Sequence, residues 1–573
     1  MKVVDRGSGR RRKGIMKRLT HIRQFVVKFS VVGAWILQAS ILAFLLLLSL
    51  LTTVTFHRTD TWPLSDDTSY NTHLPSFHFL LGCVAVGIVL LLLVNFVAKL
   101  PQKVVFTVLM IYVMLVQIFW ISSLGLVNYL FPDSHSVLDA AGFLLNGQLY
   151  TFDPNFCLPG STEPVCINLY PPSPFTYFSY YPFQTGPLLW YVLLGSIFGA
   201  KNIFAFQCVS AVAITGLVAV LWRLGKFIGL NKRGLAAFAV LVMTCVPLLM
   251  FSAMVYPNAV GLFLTVLGVG IVAEAFRMER AWVSALTIFG GFAVAGIGIV
   301  FKSTFQIVVL AAIISIIFAV IFSKKYWQLI VAAVSSMVPF VISKVPIAIV
   351  QNWVGQDFGK GMPMLSWIAL GLNNPEGKRP GWWTYFAIDA FRRTNNDYAA
   401  QTEISKNFVL HRFSEFAQNP SDAFVFFMKK LATEWSEPTF MTSIYSEIGE
   451  SKNNFAGFAG FVLNGDGTTP LLWFENIMQT LTYLLALIGV IALLRTVRSN
   501  TSEAAQVSTI YAQLLLTVSF IGGFICFIFW EAKGIYTLPF FILVLPIAAY
   551  GVQTIMSWVA GLSLKNIKKA GSH

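Results

Sequence analysis

The chain has 573 residues, 56% of them hydrophobic and 11% charged, with a formal net charge of +15 and a mean hydropathy of +0.72. Soluble domains carry about 25% charged residues, so a water-soluble multidomain enzyme is excluded. Disordered chains are poor in apolar and aromatic residues, which excludes disorder as well. At about 20 apolar residues per crossing, the composition predicts an all-α polytopic membrane protein with residues to spare.

The positive charge could suggest a nucleic-acid partner, but its placement argues for a membrane. Nine Lys/Arg fall in the first 24 residues, just ahead of an apolar run over Val32–Phe56. The C-terminus repeats the pattern at Lys565, Lys568 and Lys569. Basic residues flanking a span stay cytoplasmic, so both termini are expected there, in a multi-pass protein of a plasma membrane. The first run is too long for a signal-peptide core and is expected to persist as an anchor. Four of the six cysteines sit in apolar runs and read as small buried hydrophobes, whereas Cys157 and Cys166 lie in a polar, proline-rich loop. If that loop faces outward they are expected to form a disulfide.

Further apolar runs follow in order, interrupted by two long polar stretches, 131–186 and 351–470. Four regions result: residues 1–100 with the basic N-terminus and two spans, 101–350 with the central spans and the 131–186 loop, the 351–470 loop, and 471–573 with three spans and a basic tail. Counting back from a cytoplasmic C-terminus puts Lys324/Lys325, Arg277/Arg280 and Lys226/Lys232/Arg233 inside, as the positive-inside rule requires. Counting forward disagrees by one crossing over 187–221. The run Pro187–Gly199 has only 13 residues, too short to span at 1.5 Å per residue, and is read as re-entrant or interfacial. About twelve crossings result, with thirteen as the competing count, and both long loops fall on the outer face.

Beyond the third span, Asp133 is the first acid, at the membrane surface. Val137, Ala140/Ala141 and Leu144 then recur at helical spacing up to Asn146-Gly147, a C-cap signal. This predicts a short amphipathic helix along the interface. Asp133 is either an N-cap of that helix or a catalytic carboxylate, and Asp139 either joins it or is its solvated face. His135 has no partner at ligand spacing. The loop ends in Tyr180-Tyr181-Pro182-Phe183-Gln184-Thr185-Gly186, an aromatic and proline entry into the next apolar helix.

An acid just past a span, a surface helix ending Leu145-Asn146-Gly147, and a Tyr181-Pro182-x-x-x-Gly186 return to the membrane resemble the GT-C superfamily. These are polytopic glycosyltransferases using lipid-phosphate-linked sugars, such as protein mannosyltransferases and aminoarabinose transferases. The resemblance covers 104–350 and makes the first two spans an N-terminal addition. It implies that Asp133 acts as general base or orients the acceptor, with Tyr181 and Gln184 near the substrate. The chemistry suits the residue types: a carboxylate takes the acceptor hydroxyl's proton, and cations meet the charge building on the leaving phosphate. Many members carry a second acid in the next outer loop, but here Ser252–Asn258 has none. No divalent metal site is supported. A second acid would come from Asp139, Asp153, Glu163 or the later loop.

Lys302 stands at an outer junction in Phe301-Lys302-Ser303-Thr304, similar to the family's Lys-Pro-Thr turn that meets the lipid phosphate; the alternative is a snorkelling lysine. Lys344 is a similar candidate nearer the end of its run. In the later loop, Gly371-Leu372-Asn373 and Pro380-Gly381-Trp382 resemble a pattern in Gram-positive members. Asn419-Pro420 opens an apolar helix running through Lys429, Lys430, Glu434 and Trp435 to Glu437. The family's equivalent helix leads a lysine to the donor phosphate, which Lys429 or Lys430 would match, unless both simply sit at headgroup level. Arg392 and Arg393 could clamp a phosphate through their bidentate forks. Trp382, Trp383 and Trp435 could stack on a sugar or belong to an aromatic belt, and Glu434 and Glu437 are candidate supporting acids.

No Walker A, H-E-x-x-H or hydrolase nucleophile motif is present. The leading expectation is an inverting transferase that moves a sugar from a polyprenyl-phosphate donor to a glycan, lipid or protein acceptor of a bacterial cell envelope, with no resident cofactor. A transporter or flippase of lipid-linked saccharides is the alternative, as is an envelope polymerase or ligase. Transporters place ionisable residues and broken helices near the midplane, whereas here the polar mass lies in two loops.

Overall fold

The computed structural model describes residues 6–58, 66–129, 132–156, 172–447, 455–496 and 503–570. Cys157, Cys166 and Glu163 lie outside them, and with them the expected disulfide. Helix dominates, as the long uncharged runs dictate. Among the described residues ten helices are long and apolar enough to cross a membrane, or up to 12 if each of two bent pairs is one span. The protein is an all-α polytopic membrane protein. The bent pairs, Lys232–Met243 with Val246–Ala253 (59°) and Gly534–Ile542 with Leu545–Gly561 (47°), break where Pro247 and Pro546 cannot supply an i→i−4 bond. The short run beginning at Pro187 forms part of a 14-residue helix, Thr185–Phe198, which is not among the spanning helices, in line with the reading of 187–200 as a partial segment.

The first two spans are not a loose appendage. The Phe29–Leu51 span packs on Thr468–Thr496 and Glu503–Phe529 near the other end of the chain, and Trp35, Leu42, Leu45 and Leu48 enter the main core. Directly after Leu51 the chain turns into a β-hairpin, strands Thr52–Arg58 and Asp66–Thr72, paired antiparallel from Thr52↔Thr72 to Arg58↔Asp66. This is the one element type that the hydropathy reading did not foresee. Its strand Thr52–Arg58 rests on the helices Pro420–Trp435 and Thr442–Glu447.

Small residues set one close helix contact. Asn258–Ala275 and Ala281–Phe301 meet along Gly261, Gly268, Gly291 and Gly298, where an added Cβ would run into the facing backbone or Thr265. Close approach of this kind is how apolar helices associate where lipid removes the hydrophobic drive. The seam leads to Tyr256, just before the first of these helices, and Lys302, just after the second, and those two side chains meet there.

Candidate functional site

Asp133 lies in the first turn of the helix Pro132–Leu145, not at an N-cap. Its Oδ1 accepts a hydrogen bond from Tyr177 Oη at 3.2 Å. Tyr177 belongs to the short helix Pro174–Tyr180, started by the Ser173 cap and Pro174, so the proline-rich return segment delivers the tyrosine to the acid. The carboxyl feels the charges of two ammonium groups, Lys302 and Lys533, and of Glu531. Burial raises the Asp133 pKa above the usual carboxyl value, and the two lysines and the Tyr177 hydrogen bond hold that rise in check.

Lys302 follows the last turn of Ala281–Phe301. Its ammonium lies 4.2 Å from the Tyr536 ring centroid and 5.6 Å from that of Tyr256, two cation–π contacts that partly replace lost water. Burial lowers its pKa to about 8, against the raising influence of Asp133 and Glu531. Tyr256 in turn donates its hydroxyl hydrogen to Gln184 Oε1. Tyr181, buried beside Tyr177, faces Asp133 closely enough that burial first, then the Asp133 charge, raises its phenol pKa well beyond the normal range. Three expected residues, Asp133, Lys302 and Tyr181, are thus brought to one centre, with Gln184 bonded to its edge.

Lys533 was not among the sequence candidates. It forms an ion pair with Glu531 at 3.0 Å, the side chains 9% and 3% exposed. Burial alone would lower its pKa, but Glu531 and the surrounding tyrosines and Asp133 overcome this and raise it well above normal. The signal was present: Glu531-Ala532-Lys533 is the charged gap between two apolar runs, and the same span count that places Lys302 outside places this gap outside too.

The later loop holds that gap in place. Gly381, at φ 74°, donates its N–H to Asn373 O at 2.7 Å and accepts from Ala532 N at 2.8 Å. Lys430 is fully buried and donates from Nζ to Gly371 O and Trp530 O, both at 2.6 Å. The Gly-Leu-Asn and Pro-Gly-Trp segments therefore grip residues 530–532 between them. Trp382 then lies beneath Lys533, 5.1 Å from the ammonium, and takes the Arg379 guanidinium at 3.4 Å.

Several expectations are corrected. Lys430 is a clamp on two carbonyls and does not face the centre. Trp435 has no exposed surface and packs on Phe520 and Phe524, a core residue with no sugar face. Glu437 is buried and accepts from Thr439 N (3.1 Å), Thr439 Oγ1 (2.7 Å) and Met441 N (2.6 Å); it pins the left-handed pair Phe440-Met441 and supports no reacting group. Asp139 pairs with Lys201 at 2.5 Å and His135 at 3.4 Å, well round its helix from Asp133. Arg392 donates to Tyr180 Oη at 3.4 Å, and Arg393 is exposed. Lys429 is exposed and lies 5.9 Å from the Tyr70 ring of the hairpin. Glu434 is buried beside Lys430 with neither carboxyl oxygen hydrogen-bonded; burial raises its pKa well above normal.

No group of three or more His, Cys, Asp or Glu could hold a metal ion among the described residues. What the centre can do is transfer a proton to one carboxylate while two fixed cations receive a developing anion. Comparison with family models, curated proteins and solved structures finds no match to this chain.

Proposed function

We propose that the protein is a membrane glycosyltransferase of GT-C type. It would take a sugar from a polyprenyl-phosphate carrier and attach it to a cell-envelope acceptor on the outer face of a bacterial plasma membrane. The observation that carries this reading is that the Asp133 carboxyl, hydrogen-bonded by Tyr177, feels the charges of Lys302 and Lys533, two ammonium groups that share the Tyr536 ring. The acceptor hydroxyl gives its proton to Asp133 as its oxygen attacks the anomeric carbon from the face opposite the carrier. The bond from that carbon to the phosphate oxygen breaks, with inversion, and the departing phosphate is met by the two ammonium groups. Purified protein supplied with a panel of radiolabelled polyprenyl-phosphate sugars and an envelope extract tests this. Label passing into the extract supports transfer, and its absence with every donor opposes it.

A second reading, movement of a lipid-linked saccharide across the membrane, is favoured by Glu475. This acid lies inside the spanning helix Thr468–Arg495, is buried and leaves Oε1 without a hydrogen bond; ionisable groups at membrane depth commonly mark transport routes. Loss of flux through reconstituted vesicles on Glu475→Gln, with no transfer chemistry in the wild type, would select this reading.

A further inference from the structure

Near its end the later loop dips among the spanning helices. Every residue from Leu431 to Thr442 is buried. Trp435 O accepts from Tyr483 Oη at 2.7 Å, and Tyr483 stands about half way along the span Thr468–Arg495. The Trp435 ring packs on Phe520 and Phe524 of the span Val507–Phe529. Beyond Trp435 the chain leaves the helix and turns through the left-handed Phe440 and Met441. Irregular backbone at membrane depth is tolerated where protein covers it or where it lines a polar site.

The span beside this turn carries oxygen acceptors that no donor fills. Gln479 donates from Nε2 to Glu437 O at 3.3 Å, which leaves its Oε1 buried and unpartnered. Glu475 lies one turn away on the same helix face; it is buried, and its Oε1 is unpartnered too. Asn476 Oδ1 in that turn and Ser436 Oγ, next to Glu437, also lack a partner. The two acids differ in their surroundings. Glu437 takes three hydrogen bonds, from Thr439 and Met441, and feels the Arg379 charge. Glu475 feels the charge of Glu437, another acid, and among the described residues no Lys, Arg or His answers it. The other titratable group near it is the Cys245 thiol, at the break of the bent pair Lys232–Met243 and Val246–Ala253.

We propose that Glu475 and Gln479, with the Ser436-Glu437 turn facing them, bind one small monovalent metal cation of the sodium type. A buried carboxylate with no positive partner is costly, and a cation removes that cost. A proton on Glu475 would serve two of these oxygens at most, whereas a metal ion draws several together. One uncompensated carboxylate matches a single positive charge, and the amide and hydroxyl oxygens add ligands without adding charge. Oxygen ligands suit a hard cation, and membrane proteins hold sodium where unwound backbone meets a spanning helix. The bound ion ties the span Thr468–Arg495 to the inserted turn. Cation binding here rests on neither sugar transfer nor saccharide transport.

The test is equilibrium binding of radioactive sodium to the full-length protein in nanodiscs of neutral lipid, with choline chloride holding the ionic strength constant. Binding should saturate at one ion per chain and be displaced by unlabelled sodium but not by choline, and sodium should raise the melting temperature. Glu475→Gln should abolish both effects, and in choline it should melt no lower than the wild type, because it removes an unpaired buried charge. Gln479→Met keeps the carboxylate and should weaken binding, which gives a second test should Glu475→Gln not fold. Asp139→Asn, on the surface helix, should bind as the wild type does. Absence of saturable binding, wild-type binding in either Glu475→Gln or Gln479→Met, or equal stabilisation by sodium and choline would overturn the proposal. So would stabilisation by acid in choline with no sodium bound, which would assign Glu475 to a proton. Because binding is read without turnover or flux, failure of either functional reading would leave this result standing.

Discussion

Glu531 and Lys533, two residues apart, form an ion pair of 3.0 Å with both side chains almost wholly removed from water. Removing one partner strands the other, at a cost of about 3–5 kcal/mol for a buried pair. Lys533→Met and Glu531→Gln are therefore each expected to lower the melting temperature sharply. The double variant should recover much of that loss because no buried charge remains, yet stay inactive for want of the cation. Thermal melts in detergent beside transfer assays separate the two effects.

Activity should follow a bell-shaped pH profile. The base must be ionised, so the acid limb rises through the Asp133 pKa, displaced upward by burial. Lys302 must be protonated, so the alkaline limb falls as pH passes about 8. Lys302→Arg should carry that limb upward, because a guanidinium keeps its charge up to about pH 12. Rates measured from pH 4 to 10 on both proteins would show it, and an unmoved alkaline limb would remove Lys302 from this role.

Gly381→Ala is expected to loosen the centre from a distance. Residue 381 sits at φ 74°, and a methyl there would press on Gly371 O and the Lys430 side chain. The left-handed conformation costs a non-glycine residue about 1–2 kcal/mol, and the Ala532 hydrogen bond is put at risk as well. The measurable outcome is a lower melting temperature with faster proteolysis, and a loss of turnover larger than the loss of donor affinity.

Trp435→Ala should cost about 3–5 kcal/mol as a large-to-small core change. Lys430→Gln should likewise act on stability, by releasing Gly371 and Trp530. Neither is expected to change donor KM in the protein that remains folded. A selective rise in KM with unchanged melting would return these residues to the substrate.

Much of the fold was legible because uncharged runs of spanning length have few other uses. The short helix after Pro187 and the junction at Lys302 followed from run length, and a helix beyond Ser136 from helical spacing, although it starts earlier, at Pro132, and so carries Asp133. The hairpin did not, since Thr52–Arg58 continues directly from a span and its alternation is masked by the apolar run before it. Side-chain direction was the other blind spot. Lys429 and Lys430 are neighbours of one type, yet one is exposed beside Tyr70 and the other is buried on two carbonyls. Trp435 and Glu437 look like interface residues by composition, and only packing against Phe520, Phe524 and the Phe440-Met441 turn reveals them as core. Glu531 and Lys533 stand in a gap of a few residues between two apolar runs, too short to draw notice beside the two long polar loops.

The most direct measurement is transfer of a labelled sugar from a polyprenyl-phosphate donor by Asp133→Asn protein whose melting temperature matches the wild type, with Asp139→Asn as the neighbouring-acid control. Loss of the general base should slow Asp133→Asn by about 10²–10⁴-fold, with donor binding retained and Asp139→Asn close to normal. Wild-type turnover in Asp133→Asn, or an equal loss in Asp139→Asn, would contradict a centre built on Asp133, Lys302 and Lys533.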